Sequence, residues 1–387
     1  MNSAADSIRA RIAREGPLRY SDAVRRALYG DGGFYASGRG AGHRRDFVTS
    51  PEVGPLFGAL LAKCLDSWWN ELGRPDPFLV ADCGAGPGTL AVSVIASKPD
   101  CLGALRLVLV ETSDALRELH RERRLPIVEP HELLGQLHSV GGRGGMGTAA
   151  NDDENVSARI MSGSGPFCIS VGQLPEHEFH VIFANELLDN LAFDVLELRS
   201  DGWCEVRITS TDEGFDDILV PCPSEVADIA NRLVPGGLLG DRIPVLVDAQ
   251  IWIANALALL TSNGRLVCID YSATTAELAC RGGAWIRTYR GHSRGFDALS
   301  DMGLRDITID VPIDQLTPRP DVVVPQKDFL TDLGINDLVE YAENVWADHA
   351  TTGNLTALKA KSVPHEAAVL MDPDGLGAFT VLQWIRR

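Results

Sequence analysis

The chain has 387 residues, with 35 Lys plus Arg against 53 Asp plus Glu and a net charge of −18 at pH 7. So acidic a balance argues against nucleic acid or any other partner with an extended phosphate backbone, and no apolar run reaches the ~18 to 20 residues that span a bilayer, so no membrane partner is expected. The eight cysteines, at 64, 83, 101, 168, 204, 222, 268 and 280, form no C-x-x-C pair and no Cys/His cluster at zinc spacing, which points to reduced thiols in a cytoplasmic protein and to no metal centre.

From the N-terminus, Asp6, Ile8 and Ile12 fit an ordinary amphipathic helix and not a signal peptide, with a transit peptide as the alternative. Ser21 is placed to cap a second helix from Asp22 to Tyr29, which stops at Gly30. A glycine-rich, basic loop from Phe34 to Arg45, with Gly38 to Gly42 as a flexible approach, feeds Asp46-Phe47-Val48-Thr49-Ser50-Pro51-Glu52. Ser50 as N-cap, Pro51 at the first helical position and Glu52 in the first turn spell a helix start. Val53, Leu56, Phe57, Leu60, Leu61, Cys64, Leu65 and Trp68 then continue at helical spacing as one long helix.

Phe78-Leu79-Val80-Ala81 is a short apolar run suited to a strand buried on both faces, and it empties into Asp82-Cys83-Gly84-Ala85-Gly86-Pro87-Gly88-Thr89. Three glycines at alternate positions turn the backbone sharply and let a ligand approach it, while the helix behind them offers free N–H groups. A dinucleotide fingerprint would carry glycine where Thr89 stands. Leu105 to Val110 is a second strand ending in Glu111, about twenty residues past the loop, where an acid can accept both ribose hydroxyls. Asp114 opens or caps a helix to about Arg123. Residues 138–165 are rich in Gly, Ser, Asn and Asp and read as a mobile insert.

Phe167 to Val171 and Phe179 to Ala184 are the third and fourth strands, with His177 and His180 as loop histidines between them. The fourth leads into Asn185-Glu186-Leu187-Leu188-Asp189-Asn190-Leu191, which in a doubly wound sheet faces the glycine loop. Phe193 to Leu198 and Trp203 to Ile208 form a hairpin that Asp216 to Val220 extends. Ser224 to Leu233 and Val247 to Leu260 are helices, Asn263-Gly264 a turn, and Arg265 to Tyr271 a fifth strand. Trp285 to Met302 has the composition of a loop, and Gln326 opens a helical region to about His349. Ala368 to Met371 and Phe379 to Trp384 then read as a closing hairpin.

The expected fold is therefore α/β: a Rossmann-like parallel sheet with helices on both faces, a closing antiparallel hairpin, a helical N-terminal segment and inserted substrate-side elements. The divisions are 1–72 for the N-terminal lid segment, 73–275 for the core with inserts at 138–165 and 193–220, 276–364 for substrate-side loops and helices, and 365–387 for the closing hairpin.

Several of these stretches, taken in order, resemble the MidA-like methyltransferases, relatives of a mitochondrial complex I assembly factor. They are Asp46 to Glu52 with Leu56-Phe57-Gly58, the glycine loop, Ala184 to Asp189, Ile269-Asp270-Tyr271, Thr288-Tyr289-Arg290-Gly291-His292 with Asp306-Ile307-Thr308, and Gln326 to Gly334. The resemblance implies a class I methyltransferase fold, S-adenosylmethionine as methyl donor and, for the mitochondrial relatives, methylation of a protein arginine. It lays Thr49, Ser50 and Glu52 over the methionine end of the cofactor as a lid. Asp82, Gly84, Gly86, Gly88, Thr89, Glu111 and Asn185 complete the cofactor set. The chain departs from the family at Asp82 to Gly88 and at Leu187 to Ala192, the second of these being the loop that would hold the acceptor.

Methyl transfer from a sulfonium is an in-line displacement, so alignment and exclusion of water are the main needs. Glu186 and Asp189, three residues apart, would share one face of a helical turn and orient a guanidinium by charge-assisted hydrogen bonds; otherwise Asn185 or Asp189 caps the turn and Glu186 faces solvent. Tyr271, at the mouth of the fifth strand, stands near the acceptor or in the core. Three functions are compatible with the residues: a protein-arginine N-methyltransferase, a methyltransferase for a small metabolite, and a non-catalytic assembly factor that keeps the fold. Homo-oligomerisation stays open, and the arginine-rich, lysine-poor bias suggests a GC-rich bacterium.

Overall fold

The computed structural model describes residues 3–37, 49–134, 164–290, 293–349 and 354–387. The Gly38–Gly42 approach, Asp46 to Val48, Gly291, His292 and nearly all of the 138–165 insert lie outside the described residues.

The core is a seven-stranded sheet. We label its strands in chain order: β1 (Phe78–Cys83), β2 (Leu105–Val110), β3 (Phe167–Val171), β4 (Phe179–Asn185), β5 (Leu260–Asp270), β6 (Val322–Pro325) and β7 (Thr380–Ile385). Their spatial order is β3-β2-β1-β4-β5-β7-β6. The first five run parallel, and β7 is antiparallel to both of its neighbours. Successive strands grow outward from β1 in one direction and from β4 in the other. That reversal of order leaves a crevice at the carboxyl ends of β1 and β4.

Both faces of the parallel strands are buried, and alternate residues of β1 enter two different cores. Leu79, Ala81 and Cys83 pack with the N-terminal helices Ala4–Glu15 and Tyr20–Tyr29 and with the helix Asp248–Ala258. Phe78 and Val80 pack on the other face, with the helices Pro55–Glu71 and Thr89–Ala96 and with the C-terminal helices. This two-sided burial is why β1 and β2 read as unbroken apolar runs.

Several expected elements differ. The second helix starts at Tyr20, and Ser21 does not cap it; its backbone N–H donates to Asp194 Oδ1 at 3.1 Å. The helix expected from Ser50 to Trp68 is two helices, Ser50–Val53 and Pro55–Glu71, parted at Gly54, and Thr49 rather than Ser50 precedes the first. His180 lies within β4, not in a loop, and its Nδ1 accepts from the backbone N–H of Leu79 at 3.0 Å. Asn263, at φ 61°, sits in an irregularity inside β5. Within 285–302, Ile286–Arg290 and Ser293–Gly295 are strands, joined by Asp306–Ile309 in a three-stranded sheet. The closing hairpin is absent: Ala368 to Leu370 end the helix Leu355–Leu370, and β7 lies between β5 and β6, the latter from the 276–364 stretch. The 193–220 hairpin is present, and Phe215–Pro221, Arg242–Leu246 and Leu18–Arg19 add to it as a second sheet.

Helix Pro55–Glu71 crosses helix Thr89–Ala96, the one that follows the glycine loop, at Gly58. A Cβ there would stand 2.3 Å from Ser93 Cβ. Gly58→Ala, which in an exposed helix would stabilise by up to ~1 kcal/mol, is expected instead to destabilise by about 1–3 kcal/mol through overpacking. Urea denaturation of the two proteins checks the sign.

Candidate active site

β1 stops at Cys83 because the next glycines take left-handed backbone, with φ of 75° at Gly84, 53° at Gly86 and 78° at Gly88. The three do different work. A Cβ on Gly86 would meet nothing within 4 Å, and one on Gly84 only Leu187, so both present bare backbone to the cleft. A Cβ on Gly88 would lie 2.9 Å from His120 Cδ2. His120 is fully buried and props the loop: Nε2 is 2.8 Å from the Gly86 carbonyl and Nδ1 is 2.8 Å from Ser170 Oγ. A carbonyl can only accept, so Nε2 carries the proton and Nδ1 accepts from Ser170. Burial holds the His120 pKa below its ordinary value, which keeps the ring in this neutral form.

Glu111, one residue beyond β2, is tied to the same loop. Its Oε2 accepts from Gly86 N at 3.0 Å and its Oε1 from Ser113 N at 2.8 Å. Asp82, the penultimate residue of β1, is 6% exposed, and its Oδ2 has no hydrogen-bond partner among the described residues. Burial, with the Glu111 charge added, pushes its carboxyl up to about 7. Asn185 Oδ1 is another buried acceptor without a partner among the described residues.

Glu186 takes a left-handed backbone, φ 51°, rare for a side-chain-bearing residue. Its N–H donates to Ile269 O at 2.8 Å, while its Oε1 accepts from Asn185 Nδ2 at 2.9 Å and from Ser50 N at 3.4 Å. Burial, and next the nearby Asp189 charge, push this carboxyl up to about 8. Across the cleft, Glu52 Oε1 accepts from Thr89 Oγ1, and Arg123 also donates to that hydroxyl, at 2.7 Å. The short Thr49–Val53 segment thus lies directly against the start of the glycine-loop helix.

These groups line one cleft of about 1230 Å³. Of the residues singled out from sequence, Glu52, Asp82, Gly84, Gly86, Thr89, Glu111, Asn185 and Glu186 line it. Ser50 and Gly88 sit just behind its wall. Asp189 and Tyr271 are not brought to it. Asp189 turns into the protein, where Thr308 Oγ1 donates to its Oδ2, and burial pushes it up to about 6. Tyr271 packs on Phe379, with ring centroids 4.1 Å apart, and beneath the Arg287 guanidinium at 4.3 Å. Glu186 and Asp189 therefore do not share a helical face: the turn that follows Glu186 is a single 3-10 turn, Leu188–Asn190. The sequence reading missed His120 and the far wall of the cleft. Asp248, Trp252, Asn255 and Leu259 recur at helical spacing along that wall, opposite Tyr29 and Tyr35, which stack at 5.4 Å.

A bare-backbone glycine turn at the switch point, unpartnered acceptors at Asp82 and Asn185, and a carboxylate ending β2 fit an adenosyl group with a charged amino-acid tail. A family model of S-adenosyl-L-methionine-dependent methyltransferases matches residues 60–319 of the chain. The chain belongs to that family. It is a methyltransferase, and S-adenosylmethionine is its methyl donor. Among curated proteins it is 26% identical over 385 residues to the mitochondrial protein arginine methyltransferase NDUFAF7 of Xenopus tropicalis, covering 95% of this chain and 82% of that protein. It is 22% identical over 396 residues to the protein of the same name from Danio rerio, covering 97% and 86%. In fold it is similar to a protein of Burkholderia thailandensis solved with S-adenosyl-homocysteine: the TM-score is 0.75 at 24% identity, over 99% of this chain and 92% of that one.

The raised carboxyls give this methyltransferase a pH signature. Asp82 keeps its proton up to about pH 7 in the fold but loses it near pH 4 when unfolded, so its stabilisation is full below pH 4 and fades as pH rises through 7. Without cofactor, the unfolding free energy is expected to fall between pH 5 and 8, and Asp82→Asn to remove about 2 kcal/mol of that fall. Urea titrations of both proteins at the two pH values measure it; identical falls would refute the assignment.

Proposed function

We propose that this methyltransferase N-methylates an arginine guanidinium on a protein. The observation that carries the reading is Glu186. It lines the cleft at the end of β4, next to the glycine loop, in a strained backbone conformation and with a carboxyl poised near pH 8. The cleft around it is acidic: Glu52, Asp82, Glu111, Glu176, Glu178 and Asp248 line it, against Arg25 and His177. Arg25 is already held by Asp248, through Nε at 2.9 Å and Nη2 at 2.7 Å. Such a cleft suits a cationic acceptor and disfavours an anionic one. The names of the curated relatives support the same substrate class.

When bound, S-adenosylmethionine supplies a methyl group on a positively charged sulfur. Gly84, Gly86 and the ends of β1 and β2 would hold the adenosyl part, with Glu111 facing the ribose and Asp82 and Asn185 the polar remainder. An arriving guanidinium, with a pKa above 12, would ionise Glu186 and be oriented by its carboxylate. Methylation of a guanidinium releases one proton, and a carboxylate whose neutral form is favoured by burial is suited to take it at Oε2. Thr49 to Glu52 close one side of the site against water.

A second reading, a small cationic or aromatic metabolite as acceptor, draws on Trp252 and the Tyr29–Tyr35 stack at the far end of the cleft. We take the compartment to be a reducing one, a bacterial cytoplasm, on the eight unpaired cysteines and the arginine-rich, lysine-poor composition.

With methyl-tritiated S-adenosylmethionine and a cell lysate, label is expected in protein, and in methylarginine after acid hydrolysis. Glu186→Gln is expected to lower that transfer at least 100-fold, with cofactor affinity within a few-fold of the parent protein. Label confined to small molecules supports the metabolite reading, and a fully active Glu186→Gln removes Glu186 from the chemistry.

A further inference from the structure

The Thr49–Val53 segment owes its place to the C-terminal part of the chain. Ser50 and Gln326 are both fully buried, and Ser50 Oγ donates to Gln326 Oε1 at 3.1 Å. Gln326 Nε2 in turn donates to the carbonyl of Leu370 at 3.2 Å, so the amide is anchored from behind. One helical turn before Leu370, Glu366 is 5% exposed. Its Oε2 accepts from Leu56 N, a free donor in the first turn of the helix Pro55–Glu71, at 3.0 Å, and its Oε1 from Ser362 Oγ at 2.8 Å.

Gly54 parts the short helix Ser50–Val53 from the long helix Pro55–Glu71 and lies flush against this carboxyl group. A Cβ there would be 2.2 Å from Glu366 Cδ and 2.3 Å from its Oε2. The Gly54 φ of 166° is extended backbone that any residue adopts, so what glycine supplies here is room. Neither Gln326 nor Glu366 lines the cleft, and both lie beyond residue 319, where the family match ends.

We propose that Gln326 and Glu366 are positioning residues for the methyl-donor site. From the C-terminal helices they fix the height of the Thr49–Val53 segment, and so the contacts of Glu52 with Thr89 and of Ser50 N–H with Glu186. Donor affinity is thereby coupled to the docking of the helix Leu355–Leu370. The inference rests on the donor site alone and holds whichever acceptor the enzyme uses.

Calorimetric titration of the full-length chain with S-adenosylmethionine tests it, with the thermal midpoint of each cofactor-free variant recorded alongside. Glu366→Ala and Gly54→Ala are each expected to weaken donor binding at least tenfold. Glu366→Gln, which keeps both an acceptor for Leu56 N and the side-chain shape, stays within threefold of the parent. In the Glu366→Ala background, Gly54→Ala costs less than a further threefold, because the group it would collide with is gone. If Glu366→Ala does not fold, Gln326→Ala replaces it, with a loss of at least fivefold expected while Glu366→Gln holds. Unchanged affinities beside a lowered thermal midpoint, or losses that simply multiply, would assign these residues to helix packing alone and overturn the proposal.

Discussion

Parallel strands that all end at one edge bring their last residues together, and in this protein those residues are acids. Asp82, Glu111, Glu186, Asp189 and Asp270 stand at or just past the ends of β1, β2, β4 and β5, every one of them buried or half-buried. Buried carboxylates repel one another and lose their water, and the usual relief is to keep the proton. Asp270 is the extreme case: burial, then Asp189 and Glu186, push it well above the ordinary range. It also receives the N–H groups of Leu188, Asp189 and Tyr271, at 2.9, 3.2 and 2.9 Å. Those bonds pin the turn after β4, and the pinned turn leaves Glu186 at positive φ with its carboxyl in the cleft. Asp270 is thus the anchor of another acid.

The same edge is closed from three directions. The glycine loop is propped from below by His120, whose ring bridges Gly86 to Ser170 on β3. The N-terminal segment contributes Tyr35, whose hydroxyl reaches Asn190 Oδ1 at 2.9 Å and Asp306 Oδ1 at 3.0 Å. The C-terminal helices reach it through Gln326 and Glu366. A methyl donor needs both alignment and a dry site, and each of these supports lies in a different part of the chain.

Much of this was legible in the sequence, because β1, β2, β4 and β5 are buried on both faces and are punctuated by glycine or acid. Their spacing located the crevice and most of its lining. What failed did so for local reasons. Pro364 lies inside the helix Leu355–Leu370, and a proline in a helical pattern reads as its end, so Ala368 to Met371 read as a strand. The outer neighbour of β7, β6, is only four residues long and ends in Pro325. Asp189 was paired with Glu186 by helical spacing, but a single 3-10 turn after a left-handed residue sends the two carboxyls to different places. His120 carries no signal in sequence: a histidine on an amphipathic helix looks the same whether it faces solvent or holds up a loop.

The central claim is that this edge stores neutral acids which ionise against a cationic ligand. Titrating S-adenosylmethionine into the protein at pH 7, in two buffers of different ionisation enthalpy, counts the protons released on binding. Asp82, whose carboxyl is pushed up to about 7, is half protonated at pH 7, so release of about half a proton per donor bound is predicted, and less for S-adenosylhomocysteine, which lacks the sulfonium charge. A binding enthalpy independent of the buffer would contradict it.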